Sequence, residues 1–284
     1  MRKTITTSPR NYWKEYDLLS FYDDGMNIDI AIVGLGETRD KLLYYGLLYN
    51  IYRADQKIRY HIWGDKTDTE SICMDFDMMT GDQVIYHGQS IAAGDDACKD
   101  MDRVILMEDT DSEKVERFAD ALRTDQVHIL SPCECGENDW EDRLAMELNY
   151  QYECLYGAEI FNAPDREERI KICWESLEKF TGESNMAAAD YHIIRKKVLE
   201  HMDISEGDIY ESGLEDQLCR LEHIKWCRFH FLNGWKPGIP EDGRAKDSKS
   251  KMHRSLIPYD ELTADEKKKD LEVIKLMFKL SPME

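Results

Sequence analysis

Apolar residues in the first half of the chain come in short β-branched runs, separated by longer segments of helical period. The first run, Ile28-Asp29-Ile30-Ala31-Ile32-Val33, ends on Gly34-Leu35-Gly36, and residues 38–53 behind it are rich in Leu and Tyr and read as a helix. A second run over 58–63 ends on Gly64-Asp65. Further strand-like runs occupy 83–87, 103–107 and 126–130, the last two separated by a helical segment over 112–123. A run at 158–162 is expected to close the sheet. Strands alternating with helices in this way predict βαβ units and a mostly parallel sheet. Ahead of them, residues 1–27 read as an aromatic-containing extension with one short helix, and Gly25 behind Asp23-Asp24 marks a turn.

After Pro164 the alternation stops. Residues 165–180, 184–201, 214–233 and 265–280 read as helices, and a Gly/Pro/Lys-rich loop precedes the last. The helix from Leu214 carries Leu218, Leu221, Phe229 and Leu232 on one stripe. The pattern predicts an α/β Rossmann-like parallel-sheet domain over 28–163 followed by an all-α domain over 164–284, with the cut near 162–165.

Composition narrows the function classes. The 284 residues are 42% hydrophobic and 33% charged, as in a soluble globular chain. Acidic residues number 58 against 37 basic, a net charge of −21. That charge repels nucleic-acid backbones and anionic membranes. No apolar run approaches the roughly 18 residues of a membrane span, and the basic N-terminus has no apolar segment of the kind that follows in a secretory signal. A cytoplasmic location is the expectation. The eight cysteines then read as reduced thiols. Only Cys133 and Cys135 stand close together, and a structural zinc site needs paired clusters.

Gly34-Leu35-Gly36 between a strand and a helix is the start of a dinucleotide-binding fingerprint, in which the tight turn and the helix N-terminus admit a pyrophosphate. The third glycine of that pattern falls on Arg39, which either crowds the helix against the strand or itself reaches a phosphate. Asp65, at the end of the second strand, is placed for a ribose hydroxyl. Gly34, Gly36, Arg39 and Asp65 are therefore the expected contacts for NAD or another adenine nucleotide. The other reading is a sheet that merely keeps the turn.

The helical half carries three motifs: Trp174-Glu-Ser-Leu177 with Glu183 to His192; Glu222-His223-Ile-Lys-Trp226 ending in Gly234-Trp235-Lys236-Pro237-Gly238; and Leu256-Ile-Pro258-Tyr259-Asp-Glu-Leu262, followed by Lys267 and Asp270. Together they resemble the ryanodine-receptor (RyR) repeat over about 165–280, best matched by its bacterial relatives. The resemblance implies a helical unit that binds a small nucleotide-like ligand. It also implies a preceding domain similar to the nucleotide-binding domain of the potassium-uptake regulator (TrkA-type), and a role in nucleotide signalling or anti-phage defence. In the receptors the loop corresponding to 236–254 is an exposed, modified element.

Asn185, Asp190, His192, Glu222, Trp226, Trp235, His253 and Tyr259 are expected to line the ligand site of this half. Ser184 reads as the N-cap of the helix that starts at Asn185. Glu222 and Trp226 are four apart and share one helix edge, so the carboxylate can accept from an amine or ribose while the indole stacks on a base. Equally, Glu222 can tie down a neighbouring helix, and Asp190 with His192 can form a satisfied polar pair. His223, Cys227 and His230 share another face at metal-like spacing, but with no evident fourth ligand. The loop from Lys236 to Arg254 is the positive region of an acidic chain, suited to an anionic ligand or another subunit. The expected function is a non-enzymatic ligand sensor that forms a homo-oligomer. The competing classes are a nucleotide-processing enzyme at the glycine turn and an oligomeric scaffold. No Walker loop, Gly-x-Ser-x-Gly or His-Glu-x-x-His supports an enzyme.

Overall fold

A computed structural model describes residues 2–34, 36–63, 81–87, 100–107, 126–133, 139–156, 165–211, 213–281 and 283. Its contacts divide the chain into two compact units: Met1–Cys135 with His230–Trp235, and Gly136–Phe229 with Lys236–Glu284.

The first unit is built on a parallel sheet of β1 (Arg2–Thr7), β2 (Asn27–Val33), β3 (Lys57–Trp63), β4 (Gln83–Tyr86), β5 (Arg103–Met107) and β6 (Val127–Pro132). The six strands lie in the order β1-β6-β5-β2-β3-β4. That order is consistent with a Rossmann-like α/β domain, its direction of winding reversing between β2 and β5. The central strands read as near-continuous apolar runs because both faces are covered, as all five buried residues of β5 show. The expected strands at 28–33, 58–63, 83–87, 103–107 and 126–130 are all present. The expected helix at 112–123 and run at 158–162 lie outside the described residues.

Residues 1–27 are part of this unit rather than an extension to it. β1 pairs in parallel with β6, from Arg2 opposite Val127 to Thr7 opposite Pro132. Its polar, basic composition is that of an edge strand, and Ile5 is its buried apolar contact. Ser8 caps α1 (Pro9–Glu15), accepting from the Asn11 amide, with Pro9 in the first turn. Trp13 of α1 is fully buried and donates to the Leu42 carbonyl at 2.8 Å. It packs on Gly46 of α2 (Gly36–Tyr49) so closely that a Cβ there would stand 3.0 Å from the indole.

The second unit holds α3 (Asp139–Tyr156), α4 (Arg166–Glu175), α5 (Lys179–His201), α6 (Glu206–Glu211), α7 (Leu214–Leu232, its last turn counted with the first unit) and α8 (Ala264–Leu280). Leu144, Ala145 and Leu148 of α3 pack with Ala188 and Ala189 of α5 and Leu276 and Met277 of α8. This packing puts α3 on the helical side, ahead of the cut expected near 162–165. A second cluster joins Leu199, Leu218, Ile274 and Phe278. Thr263 and Glu266 close a capping box at the start of α8. The expectation of a purely helical half needs one correction. Between α7 and α8 the loop forms three two-residue strands, β7 (Lys236–Pro237), β8 (Lys246–Asp247) and β9 (Met252–His253), in the order β7-β9-β8. Strands so short leave no alternation to read. Among the described residues no helix is long and apolar enough to cross a membrane.

Candidate functional site

The glycine turn stands at the carboxyl end of β2, beside the point where the winding reverses. Gly34 is pressed against β5: a Cβ there would fall 2.3 Å from Cγ of Met107. Gly34→Ala is therefore expected to cost about 1–3 kcal/mol in urea unfolding through overpacking, and an unchanged midpoint would show that Met107 yields. Gly36 opens α2 with φ +75°, and among the described residues nothing lies within 4 Å of the place its Cβ would take. Glu37, in the first turn of α2, pairs with Lys41 at 2.7 Å, which offsets its charge against an incoming anion.

Arg39 neither splays the helix nor reaches outward. Its side chain is buried beneath the turn, with Nη1 3.4 Å from the Gly34 carbonyl and Nε and Nη2 donating to Asp40 Oδ1 at 3.0 and 2.8 Å. Gly34, Gly36 and Arg39 are thus brought together. Asp65 lies outside the described residues.

In the helical unit the expected residues fall into separate groups. Asn185 Nδ2 donates to Asn149 Oδ1 at 3.1 Å and so links α5 to α3. Asn185 does not start a helix behind Ser184, because α5 begins earlier, at Lys179. Asp190 and His192 are buried on α5. His192 donates through Nε2 to the Ser281 carbonyl at 2.9 Å, and burial with the Arg195 charge pushes its pKa down to about 3, leaving a neutral imidazole.

Glu222 of α7 is fully enclosed. Its carboxylate binds the Arg195 guanidinium of α5 and, at 2.7 Å, Lys225 Nζ one turn along its own helix. Burial pushes the Glu222 carboxyl up, but Lys225 and Arg195 together hold it below the usual range. The Arg195 guanidinium also lies 5.1 Å over the Tyr191 ring.

Trp226, His253 and Tyr259 converge on His223, which the sequence motif contains but the expected site did not. The Trp226 ring stacks on His223 at 5.7 Å and meets His253 edge-on at 4.8 Å. Tyr259 lies 6.0 Å from His223, with Arg220 and Lys267 over its ring at 4.8 and 4.7 Å. His223 Nε2 donates to the Ile257 carbonyl at 2.8 Å, and its Nδ1 stands 3.6 Å from the buried Oδ2 of the partly exposed Asp270. Trp235 is elsewhere: it is buried edge-on to His230, and both count with the first unit. His223 and Cys227 touch at 3.4 Å, whereas His230 faces Trp235.

Sequence reasoning missed Arg195, Lys225, His223 and Asp270 as site members. Lys225 was readable as an i,i+3 partner of Glu222; Arg195 was not, because its contact joins two helices. It also missed a hydrogen-bonded chain across the sheet. Arg59 grips Asp29, His61 Nε2 meets Asp29 Oδ1 at 2.8 Å, and His61 Nδ1 meets His87 Nε2 at 2.8 Å. The hydrogen bonds from Arg59 hold the Asp29 carboxyl low, and His87 stacks on Trp63 at 4.1 Å. The expectation of thiols throughout fails at Cys133, which is disulfide-bonded; Cys154, Cys173, Cys219 and Cys227 are free.

Residues 208–281 match the family model of the RyR domain. The matched stretch takes in α7, the short-stranded loop and α8, and leaves out α4, all of α5 and the start of α6, although the resemblance was expected to begin near 165. No curated protein matches the chain.

Proposed function

We propose that this chain is a non-enzymatic sensor of a small nucleotide-type ligand, with a Rossmann-like, TrkA-type sheet unit holding phosphate at the Gly34–Gly36 turn and the RyR-containing unit as its regulatory half. The observation that carries the reading is the tight Gly34–Gly36 turn into α2 at the switch point of a parallel sheet. The two glycines suit a pyrophosphate such as that of NAD. Arg39 fills the place of the third, its guanidinium paired with Asp40 beneath the turn. The resemblance of the helical half to bacterial RyR proteins, rather than the RyR match itself, suggests nucleotide signalling or anti-phage defence as the setting.

An enzymatic reading has one observation in its favour, the Asp29–His61–His87 chain. It ends on an imidazole directly after β4, on the carboxyl side of the sheet where such folds bind ligands. An Asp-oriented His61 would make His87 a stronger base toward a nucleotide hydroxyl.

Titrating the full chain with NAD, ATP, ADP-ribose and cyclic dinucleotides in thermal-shift and calorimetric assays separates the readings. The sensor reading expects one ligand to stabilise the protein by about 2.7 kcal/mol at a hundredfold excess over Kd, without turnover. Gly36→Val, and the milder Gly36→Ala, should remove that response while the unliganded protein still melts cooperatively. Binding that survives both substitutions moves the ligand to the helical half. Consumption of the ligand favours the enzyme, and silence toward every nucleotide favours a scaffold.

A further inference from the structure

We propose that the helical unit associates head to tail with a second copy of this chain, the tip of the short-stranded loop of one copy seating in the groove along α3 and α4 of the next. The knob is Ile239, 73% exposed, the more exposed of the two large hydrophobic side chains that stand out in solvent among the described residues. It is held between Pro240 and Gly238, and Gly238 packs so tightly on Met252 that a Cβ would stand 2.9 Å from Sδ. The apolar tip is therefore presented by a fixed piece of backbone.

Around it the loop from Lys236 to Arg254 carries six Lys and Arg against three Asp and Glu, in a chain of net charge −21. Two of those acids are engaged within the loop. Asp242 pairs with Arg244 at 2.6 Å, and Asp247 accepts from the Ser250 hydroxyl at 2.6 Å and the Lys249 amide at 3.0 Å. Lys236, Lys246, Lys249 and Lys251 stay exposed.

The groove has the complementary character. It is shallow, about 530 Å³, lined by Met146 and Trp174 and by four acids, Asp165, Glu167, Glu168 and Glu175, against two bases, Arg143 and Lys171, the latter 3.6 Å from Glu175. Arg143 reaches Glu167 at 2.6 Å, whereas Glu168 is exposed. An exposed isoleucine on a net-basic loop meets a Met146–Trp174 groove whose charged lining is net acidic. Because knob and groove are different surfaces of one unit, the contact is heterologous, and each added copy leaves both ends free to continue or to close a ring. A contact this small is weak and sensitive to salt.

Sedimentation velocity on the full chain tests this. Association should rise with concentration at low salt and fall at high salt. Ile239→Asp and Glu168→Lys, both at exposed positions, should each weaken it roughly tenfold or more while leaving the melting temperature in place. An equimolar mixture of the two variants should form a dimer that grows no further, since one retains a sound groove and the other a sound knob. A wild-type chain that stays monomeric at low salt overturns the proposal. So does association that both variants leave intact, or a mixture that fails to pair.

Discussion

Glu222→Gln is expected to destabilise the chain by about 3–5 kcal/mol, because it removes the one anion shown between two buried cations. The Arg195, Glu222 and Lys225 side chains are each no more than 3% exposed. Glutamine keeps the shape and one acceptor oxygen but leaves two enclosed positive charges facing a neutral amide. Arg195 would keep only the His192 ring, at 3.3 Å, and the face of Tyr191. Urea unfolding followed by helical circular dichroism measures the loss. The pH dependence gives a second readout. The folded-state carboxyl of Glu222 is depressed, so its stabilisation is present above the ordinary carboxylate range and fades as pH falls through the lowered value. The variant should lack that acid-sensitive arm. Replacing Arg195, Glu222 and Lys225 together by apolar residues of similar size should cost far less than the single change, since no charge is then stranded. A loss below about 1 kcal/mol for Glu222→Gln would mean that the carboxylate is held for a ligand instead.

What could be read in the sequence follows from where each signal lies. Strands β2 to β6 are legible because each is a short run with β-branched or apolar residues, and in β2 and β5 covering on both faces writes itself into consecutive buried residues. β1 escapes because Arg2-Lys3-Thr4-Ile5-Thr6-Thr7 has one isolated apolar residue, and only pairing with β6 makes a strand of it. α3 is absent from the sequence reading although Leu144, Ala145 and Leu148 fall at helical spacing; the partners that bury them lie on α5 and α8, which no local pattern reports. At the site, the motif drew attention to Glu222 and Trp226 as neighbours on one helix edge. The structure separates them by depth: Glu222 turns inward to Arg195, and Trp226 lies half-exposed against His253. Spacing along a helix reports which residues share an edge. It does not report which side of that edge a partner helix covers.

Asp270→Asn is expected to stabilise the protein, and the gain should grow with pH. Asp270 sits on α8 with 14% of its side chain exposed, and its Oδ2 is buried without a hydrogen-bond partner. Burial first, and then the Glu222 charge, push its pKa from 3.8 up to about 8, despite Lys225 and Lys269. Facing it across α7, His223 has its Nε2 proton committed to the Ile257 carbonyl and is itself pushed down by burial, so it supplies no compensating charge at neutral pH. The sign follows from linkage. Below the unfolded pKa near 4 the carboxyl is protonated in both states and has no effect on stability. As pH rises the unfolded chain ionises freely while the folded one resists, so stability drains away until the folded group ionises near pH 8. At 1.36 kcal/mol per pKa unit the limit is about 6 kcal/mol, and water reaching the partly exposed carboxyl brings the expected gain to roughly 2–4 kcal/mol. Wild type and Asp270→Asn should therefore unfold alike near pH 4 and diverge steadily toward pH 8. Because Glu222 is one cause of the raised pKa, the gain should shrink in a Glu222→Gln background, the two changes failing to add as neighbours do. Parallel stability curves for wild type and Asp270→Asn across that range would show that Asp270 is already ionised in the folded state, paired with a protonated His223.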